Sequence, residues 1–452
     1  MRTKRIDMLE GPVFKNLVLY SLPIVFSGIL QILFNAADLA VVGRFAGTAA
    51  TAAVGATGSF ISLIVNTVMG LSSGVNVTLA RAIGARDHKK TSDIVHTAMT
   101  VSLVAGITVG IVGASLSSFA MDITKCPEES FDKAVMYLLI YFAGCPAIFV
   151  YNFGAAILRT KGDTKRPLFF LIIAGITNVL LNILFVLAFG MDADGVALAT
   201  TISQYIAAFL TVKCLSVQED ATRLFINKLR VIKEEFLGIV KYGLPSGLTN
   251  AMYSFANIQI QSAINKFGAS AVAGNSAGSS LEGFIASTYA AMNAASVAFV
   301  GQNIGAQNKA RIKKIIFVCL GVSVAASVIL GWGMFLIGDP LFKIYVPKDI
   351  NAIEIAGIKA SIMFTTYFIL AASQNLGAVS QAFGYSMHIT IISILGIFGL
   401  RTIWMNTIVK AFPTRIEAVF WCYPASWVLI LIANGVVLAV AYNRYMKKGS
   451  IK

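Results

Sequence analysis

The chain consists of a succession of apolar runs, each long enough to cross a lipid bilayer. A helix that crosses the hydrocarbon core needs about 20 apolar residues. With 57% hydrophobic and only 13% charged residues, the 452-residue chain does not have the composition of a water-soluble protein. We therefore predict an all-α membrane protein with twelve transmembrane helices, the first of which is retained and is not a cleaved signal peptide. The predicted spans lie near residues 16–42, 51–80, 94–118, 135–158, 168–190, 195–216, 236–265, 271–301, 313–338, 352–382, 388–411 and 417–443.

The basic residues predict the orientation of these spans. The breaks on one side of the predicted membrane hold 26 of the 36 Lys and Arg residues, and those on the other side hold nine, with Lys359 counted among the nine and Arg401 left inside a span. Cytoplasmic loops carry the excess of Lys and Arg. We expect both termini to be cytoplasmic, in the plasma membrane of a prokaryote. The net charge of +15 then reflects topology and contact with anionic lipid, and no nucleic-acid partner is expected.

The two halves of the chain repeat each other. Tyr20-Ser21-Leu22-Pro23 returns as Tyr242-Gly243-Leu244-Pro245, and Ile83-Gly84-Ala85 returns as Ile304-Gly305-Ala306 at nearly the same spacing along the chain. Six spans per half give both copies the same orientation, so we predict two six-helix lobes related by a pseudo-two-fold axis along the membrane normal. The predicted lobes are residues 1–216 and 236–452, joined by a cytoplasmic linker at 217–235. Such duplicated lobes are typical of alternating-access transporters.

Asp38 is an unpaired carboxylate near the end of the first span. An ionised carboxylate at membrane depth costs about 2.5 kcal/mol or more, and such residues commonly mark ion pathways. Pro23 lies in the same span and removes a backbone hydrogen bond, so it is a candidate hinge, and Pro245 is its counterpart in the second half. The alternative is an interfacial Asp38 that extends to the outer headgroups beside Arg44.

Two further charges lie inside apolar runs of the second half. Glu282 lies in the middle of the eighth predicted span, and Arg401 lies in the eleventh. Glu282 is a candidate cation-binding or proton-carrying group. The alternative is a structural ion pair between Glu282 and Arg401 that neutralises both charges.

The sequence gives no support for an enzyme. The five cysteines and three histidines are dispersed and form no C-x-x-C pair, so neither a zinc site nor a disulfide framework is indicated. The phosphate-binding loop of ATPases, the H-E-x-x-H zinc motif and the G-x-S-x-G nucleophile motif are all missing.

Several segments resemble the multidrug and toxic compound extrusion (MATE) family. They are F-N-A-A-D-L-A-V-V-G-R-F-A-G, L-R-T-K-G-D-T-K-R-P, N-V-L-L-N followed by G-V-A-L-A-T, V-G-Q-N-I-G-A-Q-N-K-A-R and W-C-Y-P-A-S. The resemblance covers nearly the whole chain in order and spacing. It implies a secondary antiporter that exports organic cations in exchange for Na+ or H+, without any other cofactor.

The resemblance also implies a cation site in the first lobe. In one branch of the family the site consists of the first-span Asp, an Asn and an Asp one turn apart in the fifth span, and a Thr in the sixth. The matching residues are Asp38, Asn178, Asn182 and Thr200, so Asn182 replaces the second carboxylate. A Na+ site with one carboxylate and a proton site centred on Asp38 are both compatible with this set. The structural alternative for the two asparagines and Thr200 is ordinary interhelical hydrogen bonding.

The expected partners are small organic cations and the lipid bilayer, and we expect the chain to function as a monomer. A flippase for a lipid-linked precursor, built on the same duplicated design, is the alternative function. Aromatic and Met surfaces would hold an organic cation, and polar side chains would line its path. The candidates are Phe34, Phe149, Phe255, Tyr289 and Met292, with Gln31, Asn152, Asn257, Gln259, Gln261 and Asn375.

Overall fold

The computed structural model describes residues 5–123, 126, 128–347 and 349–447, and within these ranges every regular element is helical. The α-helices are α1 (Val13–Val41), α2 (Gly47–Gly84), α3 (His88–Ser115), α4 (Ser117–Ile123), α5 (Glu128–Ala143), α6 (Cys145–Thr160), α7 (Lys165–Ile183), α8 (Ala193–Ser216), α9 (Lys233–Asn265), α10 (Ala269–Gly305), α11 (Lys309–Leu336), α12 (Gly338–Tyr345), α13 (Ile350–Ala382), α14 (Ser386–Ser393), α15 (Leu400–Asn406), α16 (Ile408–Ala411), α17 (Ile416–Phe420) and α18 (Cys422–Lys447). Short π-helical segments lie at Val42–Ala46, Leu184–Ala188 and Ile394–Gly399.

The helices group into twelve rods, as the apolar runs predict. Ten continuous helical stretches of the described chain are long and apolar enough to cross a membrane. Helices α5 and α6 meet at a bend of 45° and together make an eleventh. The remaining rod is α9, which is 33 residues long but too polar to pass the same test. The all-α, twelve-helix membrane fold is confirmed, and its two lobes have six rods each.

The contacts divide the chain into two compact units. One contains residues 1–6 and 26–243, and the other contains residues 7–25 and 244–452. The chain therefore changes unit inside α1, between Val25 and Phe26, and again inside α9, between Gly243 and Leu244. These units are a different division from the predicted lobes and linker, which stay a prediction. The extreme termini, 1–4 and 448–452, lie outside the described residues, so the predicted orientation of the termini also stays a prediction.

The internal repeat is visible in the backbone. Gly162 and Gly384, which have the same separation in the chain as Pro23 and Pro245, both have φ of +94°, a conformation that favours glycine. Arg86 and Gln307, which follow the two Ile-Gly-Ala segments at the same distance, have φ of +55° and +56°. Because side chains rarely adopt these conformations, their recurrence at the spacing seen in the sequence confirms the duplication.

A close approach of two backbones fixes the start of α9 within the first unit. A Cβ atom at Gly74 in α2 would lie 2.1 Å from the carbonyl oxygen of Ile239, and one at Gly243 would lie 2.5 Å from the carbonyl oxygen of Leu71. Any other residue at either position would push the helices apart. The two glycines therefore allow α2 and the first turns of α9 to pack in direct contact.

The predicted linker is anchored to the first unit. The backbone N–H of Phe225 donates to His96 Nε2 at 3.1 Å, and the imidazole Nδ1 lies 2.7 Å from the carbonyl oxygen of Ser92. In this arrangement His96 Nε2 accepts from the linker, and Nδ1 donates to the Ser92 carbonyl oxygen. A second anchor is Lys161, whose Nζ donates to Thr222 Oγ1 at 3.0 Å. Burial lowers the pKa of Lys161 to about 8, against the opposing effect of the nearby Asp220.

Candidate functional site

The position of Asp38 is set by the packing of α1 against α7. Phe34, one turn before Asp38, lies over Gly175, where a Cβ atom would come within 1.9 Å of the phenyl ring. Glycine is the only residue type that leaves room for the ring at this height. Since residues 34 and 38 share one face of α1, this contact places Asp38 beside the next two turns of α7.

Those two turns of α7 present Asn178 and Asn182. The asparagines are four residues apart, so they share a helix face, and both are buried. Asn182 Nδ2 lies 3.3 Å from Asn178 Oδ1 and donates to it. The pair is therefore a buried polar strip on one face of α7.

Asp38 is the acceptor at the centre of this strip. Asn182 Nδ2 donates to Asp38 Oδ1 at 2.5 Å, and Thr200 Oγ1 in α8 donates to Asp38 Oδ2 at 3.4 Å. Asn178 Nδ2 in turn donates to Thr200 Oγ1 at 3.1 Å. The structure thus brings the four predicted residues together in the first unit, on three helices. Their role in cation coupling stays a prediction.

The cluster has the donor set of a site for a hard cation or a proton. Asn182 Oδ1 is buried and has no hydrogen-bond partner, although it lies beside an ionisable carboxylate. A buried amide oxygen without a partner is costly, and a cation or an acidic proton would satisfy it. Among the described residues no group of three or more His, Cys, Asp and Glu could hold a metal ion. The oxygens around Asp38 suit a weakly held monovalent ion better than a transition metal.

In the second unit, Glu282 makes an ion pair that the sequence analysis did not anticipate. Glu282 Oε1 lies 2.8 Å from Nζ of Lys359, which also donates to Ser279 Oγ at 2.7 Å and to the Asn275 carbonyl oxygen at 3.2 Å. The alternative of a Glu282–Arg401 ion pair is wrong, because the carboxylate is neutralised by Lys359.

Lys359 is counted above with the basic residues of the breaks, although the predicted span 352–382 contains it, and the structure corrects that count. The residue lies inside α13 and is 1% exposed. One signal was available in the sequence: Gly278 and Ser279, one turn before Glu282, are small. A Cβ atom at Gly278 would lie 2.9 Å from Cδ of Lys359, so the glycine makes room for the lysine stem.

Arg401 is also fully buried, at 1% exposure. Its Nε donates to Ser426 Oγ at 3.2 Å, and its guanidinium carbon lies 4.5 Å from the ring centroid of Tyr423. The buried Nη1 has no hydrogen-bond partner. Arg401 therefore has less compensation than Lys359, which has three partners.

The predicted hinges lie inside continuous helices. Pro23 is an internal residue of α1 and Pro245 of α9, and each lies within two residues of the point where its helix changes unit. The carbonyl oxygen of Pro245 accepts from Thr249 Oγ1 at 3.0 Å and from Thr390 Oγ1 at 2.8 Å. A hinge role for either proline stays a prediction.

The predicted substrate-contacting side chains are dispersed. Phe149 is a core residue, and Asn375 is buried and donates to Ser296 Oγ at 2.9 Å, so both have packing roles. Met292 is buried, and its sulfur lies 3.9 Å from the Ser21 hydroxyl. Phe255, by contrast, is 46% exposed. No single substrate path follows from these residues.

Comparison with known proteins identifies the chain's relatives. The family model described as MatE matches twice, at residues 23–184 and 245–406, so both matches begin at the paired prolines. The probable multidrug resistance protein YpnP of Bacillus subtilis (strain 168) is 30% identical over 309 residues, which cover 68% of this chain and 69% of that protein. The probable multidrug resistance protein YoeA of the same organism is 25% identical over 432 residues, or 93% and 92% of the two chains. A crystal structure of MATE in complex with MaL6 has a TM-score of 0.92 at 20% identity and covers 98% of this chain and 100% of that one.

Proposed function

Because this chain belongs to the multidrug and toxic compound extrusion (MATE) family, we propose that it is a secondary active antiporter that exports organic cations in exchange for Na+ or H+. The proposed location is the plasma membrane of a prokaryote, with both termini in the cytoplasm and the monomer as the working unit. The family and the membrane fold support transport. The coupling ion and the antiport mechanism are the parts that need an experiment.

The observation that carries the proposal is the unpartnered oxygen of Asn182 beside Asp38. A buried amide oxygen without a partner is costly, and this one belongs to a side chain that also bonds to an ionisable carboxylate. Here the carboxylate accepts two hydrogen bonds from the protein, while the amide oxygen next to it is left for something else. A bound cation would satisfy that oxygen and neutralise the carboxylate at the same time.

Na+ and H+ would each bind to the same residues, but through different contacts. Na+ would bind between the carboxylate of Asp38 and the oxygens of Asn182 and Thr200, as a hard cation does. A proton on Asp38 would turn the carboxyl into a donor, and the amide of Asn182 would accept it after a rotation that exchanges its nitrogen and oxygen. A bound proton removes the negative charge of Asp38, and a bound Na+ compensates it, so the site is neutralised in either case.

Neutralisation of Asp38 would act on α1 as a whole. The helix carries Asp38 in one unit and Pro23 in the other, and it lacks one backbone hydrogen bond at the proline. We propose that ion binding shifts the bend of α1 near Pro23 and so changes the affinity for the exported compound. A ligand shifts a conformational equilibrium only if it binds one conformation more tightly than the other. The ion must therefore have the higher affinity for one of the two conformations of α1.

The test is ethidium efflux from proteoliposomes with the purified protein, under a Na+ gradient and a proton gradient imposed separately. Wild-type protein should respond to at least one gradient, and Asp38→Asn should abolish the response while membrane insertion is retained. Gradient-driven efflux at the wild-type rate in Asp38→Asn would defeat the proposal. If no ethidium moves under either gradient, the flippase alternative takes first place.

A second variant separates the two ions. Asn182→Asp adds a carboxylate at the unpartnered oxygen and should strengthen Na+ binding if Na+ is the coupling ion. The matched control is Asn76→Asp, because Asn76 lies in α2 of the same unit and its Oδ1 accepts from Thr160 Oγ1, a role that a carboxylate oxygen also fills. If proton coupling operates, Asn182→Asp should leave the response to Na+ unchanged.

A further inference from the structure

In the second unit an ammonium group fills a small cage of oxygen atoms. Nζ of Lys359 in α13 lies 2.7 Å from Ser279 Oγ, 3.2 Å from the Asn275 carbonyl oxygen and 2.8 Å from Glu282 Oε1. Because these three residues are four and three positions apart, one face of α10 supplies the whole cage. Glu282 Oε1 makes no aligned hydrogen bond, so its contact with the ammonium is one of charge. The lysine is held there as a compact cation would be.

The oxygens of the cage suit a small monovalent ion as well as an ammonium. A carboxylate, a hydroxyl and a backbone carbonyl are hard ligands, of the kind that hard cations take. Tyr367 in α13 hydrogen-bonds to Glu282. Asn275 Nδ2 donates to Gln261 Oε1 at 2.9 Å, so the turn of α10 that carries the carbonyl is anchored to α9. These contacts do not involve Lys359, and they hold the ligands in place without it.

The cage is open on the side of its serine. Ser276 and Ser279 are exposed and the side chain of Glu282 is 18% exposed, whereas that of Lys359 is 1% exposed. Ionisable side chains of a membrane-spanning helix face the interior of the bundle or a water-filled cavity. A dissolved cation would therefore have access to these oxygens if the ammonium were not there.

Matching close contacts align α5 of the first unit with α13 of the second. A Cβ atom at Gly110 in α3 would lie 2.8 Å from the carbonyl oxygen of Phe142 in α5. A Cβ atom at Gly331 in α11 would lie 2.2 Å from the carbonyl oxygen of Phe364 in α13. The two phenylalanines therefore occupy corresponding positions of the internal repeat.

The residue that corresponds to Lys359 is Tyr137, which also lies near the acid of its own unit. Both residues precede the paired phenylalanines by the same distance in the chain. Tyr137 is buried and lies within electrostatic range of Asp38. In the described part of the chain no Lys or Arg pairs with Asp38, whereas Glu282 pairs with Lys359. The same helix position thus adjoins an acid in each unit, but only in the second unit does the protein supply the counter-charge.

We propose that Lys359 occupies a binding site for a small monovalent cation, formed by Glu282, Ser279 and the Asn275 carbonyl oxygen, and keeps dissolved cations out of the second unit. Removal of the ammonium opens this site to Na+ or K+. Methionine ends one atom short of Nζ, so Lys359→Met fills the space of the stem beside Gly278 and vacates only the place of the ammonium. The inference concerns binding and does not depend on the proposed export.

The test is the melting temperature of purified Lys359→Met in the chlorides of Na+, K+ and N-methylglucamine, at equal ionic strength and mildly alkaline pH. Parent and variants all carry Asp38→Asn, which removes the proposed ion site of the first unit. N-methylglucamine is too large for the cage, so Na+ or K+ should raise the melting temperature above it by about 2 °C or more. The salt that gives the larger rise identifies the preferred ion. The parent, with Lys359 in place, should melt at the same temperature in all three salts.

Three further variants complete the test. Glu282→Gln added to Lys359→Met removes the carboxylate, so the response to Na+ and K+ should disappear. Lys343→Met is the matched control, because Lys343 is exposed and its loss should leave the protein like the parent. Lys359→Ala, which opens a larger space, repeats the measurement if Lys359→Met cannot be purified.

Equal melting temperatures of Lys359→Met in the three salts would overturn the proposal, and so would an undiminished response after Glu282→Gln. Lys359 variants that stay unfolded in every salt count against it as well, because a dissolved cation has then failed to replace the ammonium.

Discussion

Replacement of Lys359 by methionine isolates the buried ion pair of the second unit. Methionine has a similar length and apolar character to the lysine stem, so it fills the same space beside Gly278. The change removes the ion pair with Glu282 and the hydrogen bonds to Ser279 and the Asn275 carbonyl oxygen. Glu282 is then left as a carboxylate with no cationic partner.

The expected loss is large because the pair is sheltered from water. Breaking a buried ion pair by removing one partner costs about 3–5 kcal/mol, chiefly from the uncompensated charge. The side chain of Lys359 is 1% exposed and that of Glu282 is 18% exposed, so the lower end, about 3 kcal/mol, applies. The double variant Lys359→Met with Glu282→Gln removes both charges and should recover most of this loss, as neutral replacements of buried pairs do.

The assay is reversible unfolding in detergent, followed by circular dichroism, on wild-type protein, both single variants and the double variant. The matched control is Lys343→Met, because Lys343 in α12 is exposed and should change the free energy of unfolding by less than about 0.5 kcal/mol. Additive losses in the double variant would refute the argument, since independent sites add and an ion pair does not. Efflux by the stable double variant also tests the coupling role of Glu282: full gradient-driven efflux without that carboxylate would leave Glu282 with a structural role only.

Three further predictions follow from the first unit. Gly175→Val should displace the Phe34 ring and weaken ion-dependent efflux, and adding Phe34→Ala should restore part of that efflux. The measurement is a transport assay on the single and double variants, and unchanged efflux in Gly175→Val would contradict the packing argument. His96→Leu removes the acceptor that holds the linker, so trypsin should cut the linker faster than in the control His88→Leu, which alters an exposed histidine. The pKa of Lys161 is lowered to about 8 in the folded protein, so between roughly pH 8 and 10.5 the unfolded chain binds more protons and stability should rise with pH. Melting temperatures at pH 7.5 and 9.5 should show that rise in wild-type protein and a smaller one in Lys161→Met.

The sequence predicts the number of helical rods better than it predicts the breaks within a rod. Apolar length and the pattern of basic residues are sufficient for twelve rods, because the bilayer demands both. The break between α5 and α6 falls inside one apolar run, at Gly144, and the hydropathy of the run does not reveal it. The apolar run at 236–265 predicts helix α9 as a span, although α9 is the most polar of the rods.

The candidate site was predictable only in part. Asp38 stands out because an acid inside an apolar run is expensive wherever the helix packs. Asn178 and Asn182 share a helix face by spacing alone, but the sequence does not say which helices meet there, so their association with Asp38 came from the resemblance. The pairing of Lys359 with Glu282 was not predicted, because the small residues Gly278 and Ser279 indicate a close helix contact near Glu282 but do not identify the contacting helix as α13.

The internal repeat does not locate the buried charged residues, because these residues are not repeated between the two halves. When the two halves are aligned on Pro23 and Pro245, Asp38 corresponds to Ile260 and Arg401 corresponds to Val179, so neither charge has a counterpart in the other half. The two halves share backbone conformations, such as the left-handed glycines, while their buried charges differ in sign. If the two halves carry separate tasks, their variants should be separable as well. Asp38→Asn should abolish gradient-driven ethidium efflux while membrane insertion is retained, and Lys359→Met should lower the free energy of unfolding by about 3 kcal/mol.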